Sequence, residues 1–224
     1  MSENIYKMPS LGEAFPKTAV ESTIGTLILP DDYKGKWFVL FSHPGDFTPV
    51  CSSEFESFSM SKHLFDEVNC ELIGLSLDSI DSHKKWQTWF LDHAPSPVTF
   101  PIIGGESADT LAEKLGMVFK AYGKKSVRTV FIVDPKGILR LMMFYPMEIG
   151  RNISEIIRSV KALQKFDKDK VFTPADWPNN AWLGSDATLI PTPSTEDDKE
   201  KLQKEIDKGN VMTKAPWFNY KFEK

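Results

Sequence analysis

The chain has 224 residues, an ordinary balance of apolar and charged residues and a formal net charge of -4. This composition predicts a packed globular protein, and it argues against nucleic acid or an anionic membrane surface as the main partner. The polar residues at the start of the sequence and the absence of a long apolar run predict neither a signal peptide nor a membrane span. The two cysteines, Cys51 and Cys70, exclude a disulfide scaffold and an all-cysteine zinc site, and they suit a reducing cytoplasm.

Strand patterns alternate with helical patterns along the first three quarters of the chain. Runs of β-branched and aromatic residues predict strands, and apolar residues at helical spacing predict helices. In chain order we expect strands at Thr26–Leu29 and Trp37–Phe41, a helix from Thr48 to about Glu67, a strand at Cys70–Ser76, helices at Asp81–His93 and Ser107–Leu115, a hairpin of Arg128–Asp134 with Ile138–Tyr145, and a helix at Asn152–Phe166. This alternation predicts a mixed central sheet with helices on both faces.

The composition changes after about Lys168. Several prolines punctuate the remaining segment, which still carries the large aromatic residues Trp177, Trp182 and Trp217. A solvated linker would not keep so much aromatic surface. We therefore divide the chain into a domain of residues 1–168 and an arm of residues 169–224, and we expect the arm to lie on the core or on a second subunit.

Cys51 lies where a predicted strand has ended and a helix begins. Thr48 suits the N-cap and Pro49 the first helical position, which puts Cys51 at the third position. Unpaired N–H groups and the helix dipole favour a thiolate there, although full ionisation at neutral pH needs a cation as well. The alternative for Cys51 is a small buried hydrophobic residue. Cys70 opens an apolar strand and is predicted to be a buried structural thiol.

The residues around Cys51 resemble the active-site motif of peroxiredoxins. Pro44-x-x-x-Thr48-x-x-Cys51 matches Pro-x-x-x-Thr/Ser-x-x-Cys, and the fuller run from His43 to Cys51 is similar to the one-cysteine subgroup. The resemblance implies a thioredoxin-like α/β sandwich with a mixed central sheet and an extended C-terminal arm. It extends along nearly the whole chain, through Leu75–Ser79, Arg128–Gly137, Gly150–Asn152, Val171–Trp177 and Ile190–Thr192.

The resemblance also implies a catalytic role for four side chains. Cys51 would be the peroxidatic nucleophile, which becomes a sulfenic acid when it reduces a peroxide. Arg128 would supply the missing cation, Thr48 would bond the thiolate or the peroxide, and Pro44 would shield the pocket from water. Without the resemblance, Arg128 is typical of a surface or strand-edge arginine, Thr48 of a plain N-cap and Pro44 of a loop proline.

Three further residues are implied to support the site. Glu54 and Arg151 would orient Arg128 or complete the positive pocket, and solvated charge is the alternative for both. His43 would line the site, where it could be a base, a ligand or a packed neighbour.

The activity that the resemblance implies is the reduction of hydrogen peroxide and organic hydroperoxides, with an external thiol regenerating Cys51. No cysteine follows Cys70, so the arm cannot supply a resolving cysteine. The expected partners are therefore the peroxide, the external thiol and further copies of the chain, as a homodimer or a higher homo-oligomer. We expect no metal or other cofactor, since neither a P-loop nor a Gly-x-Gly-x-x-Gly motif occurs.

Other functions remain as alternatives. A phospholipase is not expected, because residues 31–37 contain no serine where the vertebrate members of the subgroup carry a Gly-x-Ser-x-Gly stretch. A thiol–disulfide oxidoreductase on the same fold is opposed by the absence of a CxxC motif. A redox sensor or holdase-type binding protein would be oxidised once and recycle poorly, so steady-state turnover with a thiol separates it from a peroxidase.

Overall fold

The computed structural model describes residues 8–119, 123 and 125–222, and the polar start of the sequence lies outside this range. The described residues form two compact units, which divide between Ile157 and Arg158. A division after residue 168, as the sequence suggests, falls near the end of the helix that spans this boundary. Within the described part of the chain, no helix has both the length and the apolar character that a membrane crossing requires.

The first unit is built around one mixed sheet of seven strands. The strands are β1 (Thr18–Ser22), β2 (Gly25–Leu29), β3 (Trp37–Ser42), β4 (Cys70–Leu75), β5 (Ile102–Ile103), β6 (Arg128–Val133) and β7 (Leu139–Tyr145). Their order across the sheet is β2-β1-β5-β4-β3-β6-β7. The helices are α1 (Pro49–Met60), α2 (Lys62–Asp66), α3 (Ile80–His93), α4 (Gly105–Lys114) and α5 (Ile153–Asp169), and α5 continues into the second unit. The predicted mixed sheet is confirmed.

The predicted elements of the first unit are all present, with differences in their bounds. The long helix predicted from Thr48 is two helices, α1 and α2, which are separated at Ser61. The hairpin turn between β6 and β7 contains Gly137 with a φ of 77°, a conformation that glycine adopts at no steric cost. Strands β1 and β5 were missed, because β1 has few aliphatic residues and β5 is too short to show a pattern.

Strand β3 positions the candidate site. All six of its residues are buried, and it runs parallel to β4 and antiparallel to β6. Phe41 pairs with Val130, so Arg128 at the start of β6 lies just beyond the carboxyl end of β3. The chain leaves this end of β3 through residues 43–48, which we call the β3–α1 loop, and enters α1.

The second unit has more secondary structure than the sequence analysis identified. The strands of this unit are β8 (Asn179–Asn180), β9 (Gly184–Ser185), β10 (Ala187–Ile190), β11 (Met212–Ala215) and β12 (Phe218–Phe222). Three of them form an antiparallel sheet in the order β10-β12-β11. The helix α6 (Glu196–Asp207) has no buried residue, and its two apolar residues, Leu202 and Ile206, are too few to show a helical period in the sequence.

Candidate active site

Cys51 occupies the third position of α1, as the sequence predicts. Thr48 is the N-cap residue, with extended backbone angles, and Pro49 is the first helical residue. The Thr48 side chain accepts no hydrogen bond from the helix, however, and its hydroxyl donates to the carbonyl oxygen of Gly45 at 3.0 Å. The Cys51 side chain is fully buried, so its sulfur faces protein groups rather than bulk water.

Arg128 reaches Cys51 from the start of β6. Its Nη1 lies 3.3 Å from the Cys51 sulfur and 2.7 Å from Oε2 of Glu54. Its Nε donates to the carbonyl oxygen of Met147 at 2.9 Å. These contacts hold the guanidinium group of Arg128 in place, and the group is almost completely buried. Hydrogen bonds from a charged donor are stronger in such a buried environment than in water.

Glu54 holds a second buried guanidinium group, that of Arg151. Arg151 Nε lies 2.8 Å from Oε1 of Glu54 and its Nη2 lies 2.7 Å from Oε2, so the pair is bidentate. The Nη1 group of Arg151 donates to the carbonyl oxygens of Ser42 at 2.9 Å and Thr129 at 2.7 Å. Burial raises the pKa of Glu54, but Arg151 and Arg128 outweigh burial and hold this pKa below its usual range.

The charges of this cluster balance when Cys51 is ionised. Glu54 supplies one negative charge to two guanidinium groups, and all three side chains are nearly inaccessible. A buried charge without a partner is costly, whereas a paired one is tolerated. A Cys51 thiolate bonded to Arg128 supplies the second negative charge. The geometry therefore places the Cys51 sulfur where a buried arginine can stabilise its thiolate form.

His43 and Pro44 lie in the β3–α1 loop. His43 is fully buried, and its Nε2 lies 2.9 Å from Oδ1 of Asp46. Burial lowers the pKa of His43 despite the opposing effect of Asp46, so the ring is neutral at neutral pH. Pro44 is partly buried beside it. Direct bonds thus join Cys51, Glu54, Arg128 and Arg151, while His43, Pro44 and Thr48 occupy the adjoining loop.

The sequence analysis missed a buried group formed by His43, Asp46 and His83. Their nitrogen and oxygen atoms lie within 4.8 Å of one another, and residues of these types can hold a metal ion. The N···O distances of 2.8 to 3.0 Å between Asp46 and the two rings are hydrogen-bond lengths, so the group is accounted for without an ion. No spacing signals this group, because His83 follows Asp46 by 37 residues.

Cys70 lies at the opposite end of the sheet from Cys51. It is the first residue of β4 and pairs with Trp37 at the start of β3, whereas Cys51 lies beyond the end of β3. At about 3.3 Å per residue, six-residue strands separate these ends by roughly 16 Å, and a disulfide needs Cα atoms within about 7 Å. Burial also raises the pKa of the Cys70 thiol strongly. The predicted burial of Cys70 is confirmed.

Comparisons with known proteins agree on one family. Residues 11–142 match the model of the AhpC/TSA family. A peroxiredoxin of Treponema denticola is 50% identical over 200 residues, which cover 89% of this chain and 95% of that protein. A yeast mitochondrial 1-Cys peroxiredoxin, whose thiol resolving mechanism operates via glutathione/thioredoxin systems, is 34% identical with a TM-score of 0.82, over 96% of this chain and 100% of that one. Peroxiredoxin 6 of Arenicola marina is 33% identical with a TM-score of 0.81, over 96% and 99%.

Proposed function

The chain belongs to the AhpC/TSA family of peroxiredoxins and is a thiol peroxidase, and we propose that Cys51 alone carries its redox cycle. In this proposal the enzyme reduces hydrogen peroxide and organic hydroperoxides, and an external thiol regenerates Cys51. The observation that carries it is the 3.3 Å contact between Arg128 Nη1 and the Cys51 sulfur, in a cluster whose charges balance when the sulfur is a thiolate.

The first half of the cycle oxidises Cys51. Its thiolate attacks one peroxide oxygen, so that an S–O bond forms while the O–O bond breaks. The electron pair of the broken bond leaves on the other oxygen, which takes up a proton and departs as water or an alcohol, and Cys51 becomes a sulfenic acid. Arg128 stabilises the thiolate and the charge that develops on the leaving oxygen. The Thr48 hydroxyl donates a hydrogen bond to the carbonyl oxygen of Gly45, and its oxygen can accept a hydrogen bond from the peroxide.

The second half of the cycle consumes two external thiols. The first condenses with the sulfenic acid, releasing water and leaving a mixed disulfide on Cys51. The second attacks the mixed disulfide, which releases the oxidised reductant and restores the Cys51 thiolate. The distant, buried position of Cys70 supports an external thiol, as does the thiol resolution via glutathione/thioredoxin systems in the yeast relative. A reducing cytoplasm, which would supply such thiols, is the location that we propose.

We also propose that the C-terminal arm joins two subunits in a homodimer or a higher homo-oligomer. Trp182 and Trp217 are 65% and 67% exposed in the single chain. Large aromatic side chains each bury about 150–250 Å² when a surface covers them, and they are enriched at interfaces. A second copy of the chain would cover these rings.

Mass spectrometry of the intact protein after one equivalent of hydrogen peroxide tests the proposed cycle. Wild type should gain one oxygen atom, and dimedone, which traps sulfenic acids, should label Cys51. Cys51→Ser should lose the label and thiol-dependent turnover, because a serine hydroxyl does not ionise at this pH. Turnover by a well-folded Cys51→Ser variant would refute the assignment.

A further inference from the structure

Asp46 anchors the middle of the β3–α1 loop to helix α3. Its side chain is 2% exposed, and its carboxylate bonds His43 Nε2 at 2.9 Å, His83 Nδ1 at 2.8 Å and Ser82 Oγ at 2.7 Å. Its backbone N–H donates to Oδ2 of Asp78 at 2.8 Å. The loop that carries the chain into the Cys51 helix is therefore attached, by side chain and backbone, to residues at and just before the start of α3.

The protonation of this group follows from Asp46. Burial raises the pKa of Asp46, but the hydrogen bonds from His43 and His83 outweigh burial and hold the pKa well below its usual range. An ionised carboxylate only accepts hydrogen bonds, so Nε2 of His43 and Nδ1 of His83 must be the protonated atoms. His83 is thus a donor to the loop.

The position of His83 is itself fixed by close packing. The side chain is fully buried, and a Cβ atom added at Gly104 would lie 2.6 Å from His83 Nε2 and from the carbonyl oxygen of Asp78. That separation is shorter than van der Waals contact, so residue 104 must be glycine for His83 to occupy its place. At the start of α3, the Ser79 hydroxyl oxygen accepts a hydrogen bond from the Ser82 N–H and caps the helix.

The backbone next to Asp46 needs such an anchor. Phe47 has a φ of 52°, in the left-handed region that a bulky residue avoids, and it directly precedes the N-cap residue Thr48. Strained residues of this kind persist when surrounding contacts over-determine them. Asp46 supplies those contacts on one side of Phe47, and the bond from Thr48 to Gly45 supplies one on the other.

We propose that His83 is a positioning residue of the peroxidase site. Through its hydrogen bond to Asp46 it holds the β3–α1 loop so that the Thr48 hydroxyl is in place for the peroxide that Cys51 reduces. This inference rests on the proposed function, since its effect is measured on peroxide reduction.

Two substitutions of His83 separate the hydrogen bond from the bulk of the ring. His83→Asn keeps an N–H donor one bond from Cγ, where His83 has Nδ1, and His83→Leu has no donor. His93→Leu, at the exposed end of the same helix, controls for the loss of a histidine. Two rates are measured on the full-length protein: oxidation of Cys51 by hydrogen peroxide, and alkylation of Cys51 by iodoacetamide. Alkylation needs the thiolate only, whereas peroxide reduction also needs the Thr48 hydroxyl in place.

We expect His83→Leu to slow peroxide oxidation by about tenfold to a hundredfold, as for a misplaced reacting group, without an equal loss in alkylation. His83→Asn should recover most of the peroxide rate, and His93→Leu should match wild type. A wild-type peroxide rate in His83→Leu, an equal fall of both rates, or a His83→Asn variant as slow as His83→Leu would each overturn the proposal. Wild type that does not reduce peroxide would refute the proposed function instead.

If His83→Leu does not fold, His83→Gln takes its place. Its amide lies one bond further from the backbone than that of asparagine, so it cannot reproduce the bond to Asp46. Slower peroxide oxidation by His83→Gln than by His83→Asn supports the proposal, and equal rates contradict it.

Discussion

The Glu54→Gln variant tests the charge balance around Cys51. Glutamine keeps the size of the side chain and a carbonyl oxygen that accepts from arginine, but it removes the negative charge that Arg128 and Arg151 share. Within the described part of the chain, the Cys51 thiolate then becomes the one negative charge bonded to Arg128. We therefore expect the thiolate to form at a lower pH in the variant than in wild type.

The expected size of this effect follows from the geometry. Arg128 Nη1 lies 2.7 Å from Glu54 Oε2 and 3.3 Å from the Cys51 sulfur. The carboxylate and the sulfur are thus no more than about 6 Å apart, where two like charges repel by about 3 kcal/mol at an effective dielectric constant of about 20. At about 1.4 kcal/mol per pH unit, and with rearrangement of the arginines absorbing part of the effect, the midpoint of thiolate formation should fall by about one to two units.

The assay is the rate of Cys51 alkylation by iodoacetamide as a function of pH. Glu56→Gln is the matched control on the same helix, because Glu56 bonds the backbone N–H of Ser96 instead of an arginine. Its midpoint should equal that of wild type. An unchanged or higher midpoint in Glu54→Gln would show that the carboxylate does not act on the thiolate, and it would refute the charge balance.

The same variant should be less stable. The pKa of Glu54 is depressed in the fold, so its charge stabilises the protein above the ordinary value of 4.5, and this contribution is lost as the pH falls through the folded-state pKa. Breaking a buried ion pair costs about 3–5 kcal/mol, and the retained carbonyl of glutamine places the expected loss near the lower limit. Urea denaturation at neutral pH measures this loss, and a value below about 1 kcal/mol would contradict the buried pairing.

Three further variants test the remaining assignments. Arg128→Met removes a charge-assisted hydrogen bond worth about 1.5–3 kcal/mol, so peroxide reduction should slow by about tenfold to a hundredfold. The midpoint of the alkylation rate against pH should also rise, and an unchanged midpoint would show that the role of Arg128 is structural. Cys70→Ser should keep peroxide turnover, and non-reducing peptide mapping of the oxidised wild type should find no Cys51–Cys70 disulfide, whereas a stoichiometric one would overturn the one-cysteine cycle. Truncation before Val171 should convert a dimer or larger assembly into a monomer by light scattering, and a full-length protein that is monomeric at micromolar concentration would exclude the shared arm.

Local sequence signals predicted the scaffold of the site. Thr48 and Pro49 mark the start of a helix, because an N-cap and a proline at the first position suit the unpaired N–H groups there. Their order alone placed Cys51 at the third helical position, where the structure has it. The hairpin around Gly137 and the buried strand at Cys70 were equally local signals, and both are present.

Local patterns in the sequence do not predict contacts between residues that are far apart in the chain. Arg128 contacts Cys51 because β6 pairs antiparallel with β3, and only the family resemblance predicted this contact. His83 was overlooked because its partner Asp46 lies on another element, although its spacing from Trp86 and Phe90 puts it on the buried face of α3. Helix α6 was overlooked because its two apolar residues, Leu202 and Ile206, are too few to show a helical period.

The antiparallel pairing of β6 with β3 makes the active site sensitive to chain length at one place and tolerant at another. Successive side chains of a strand point to opposite faces of its sheet. One residue inserted between Arg128 and Val130 would therefore turn the guanidinium group to the wrong face, away from Cys51 and Glu54. An insertion in the Pro135–Gly137 turn lies at the far end of β6 and leaves that pairing unchanged. The first half of β6 must therefore keep its length, whereas an insertion in the turn would disturb the hydrogen bonds that the N–H groups of Gly35 and Phe15 donate to the carbonyl oxygens of Pro135 and Gly137.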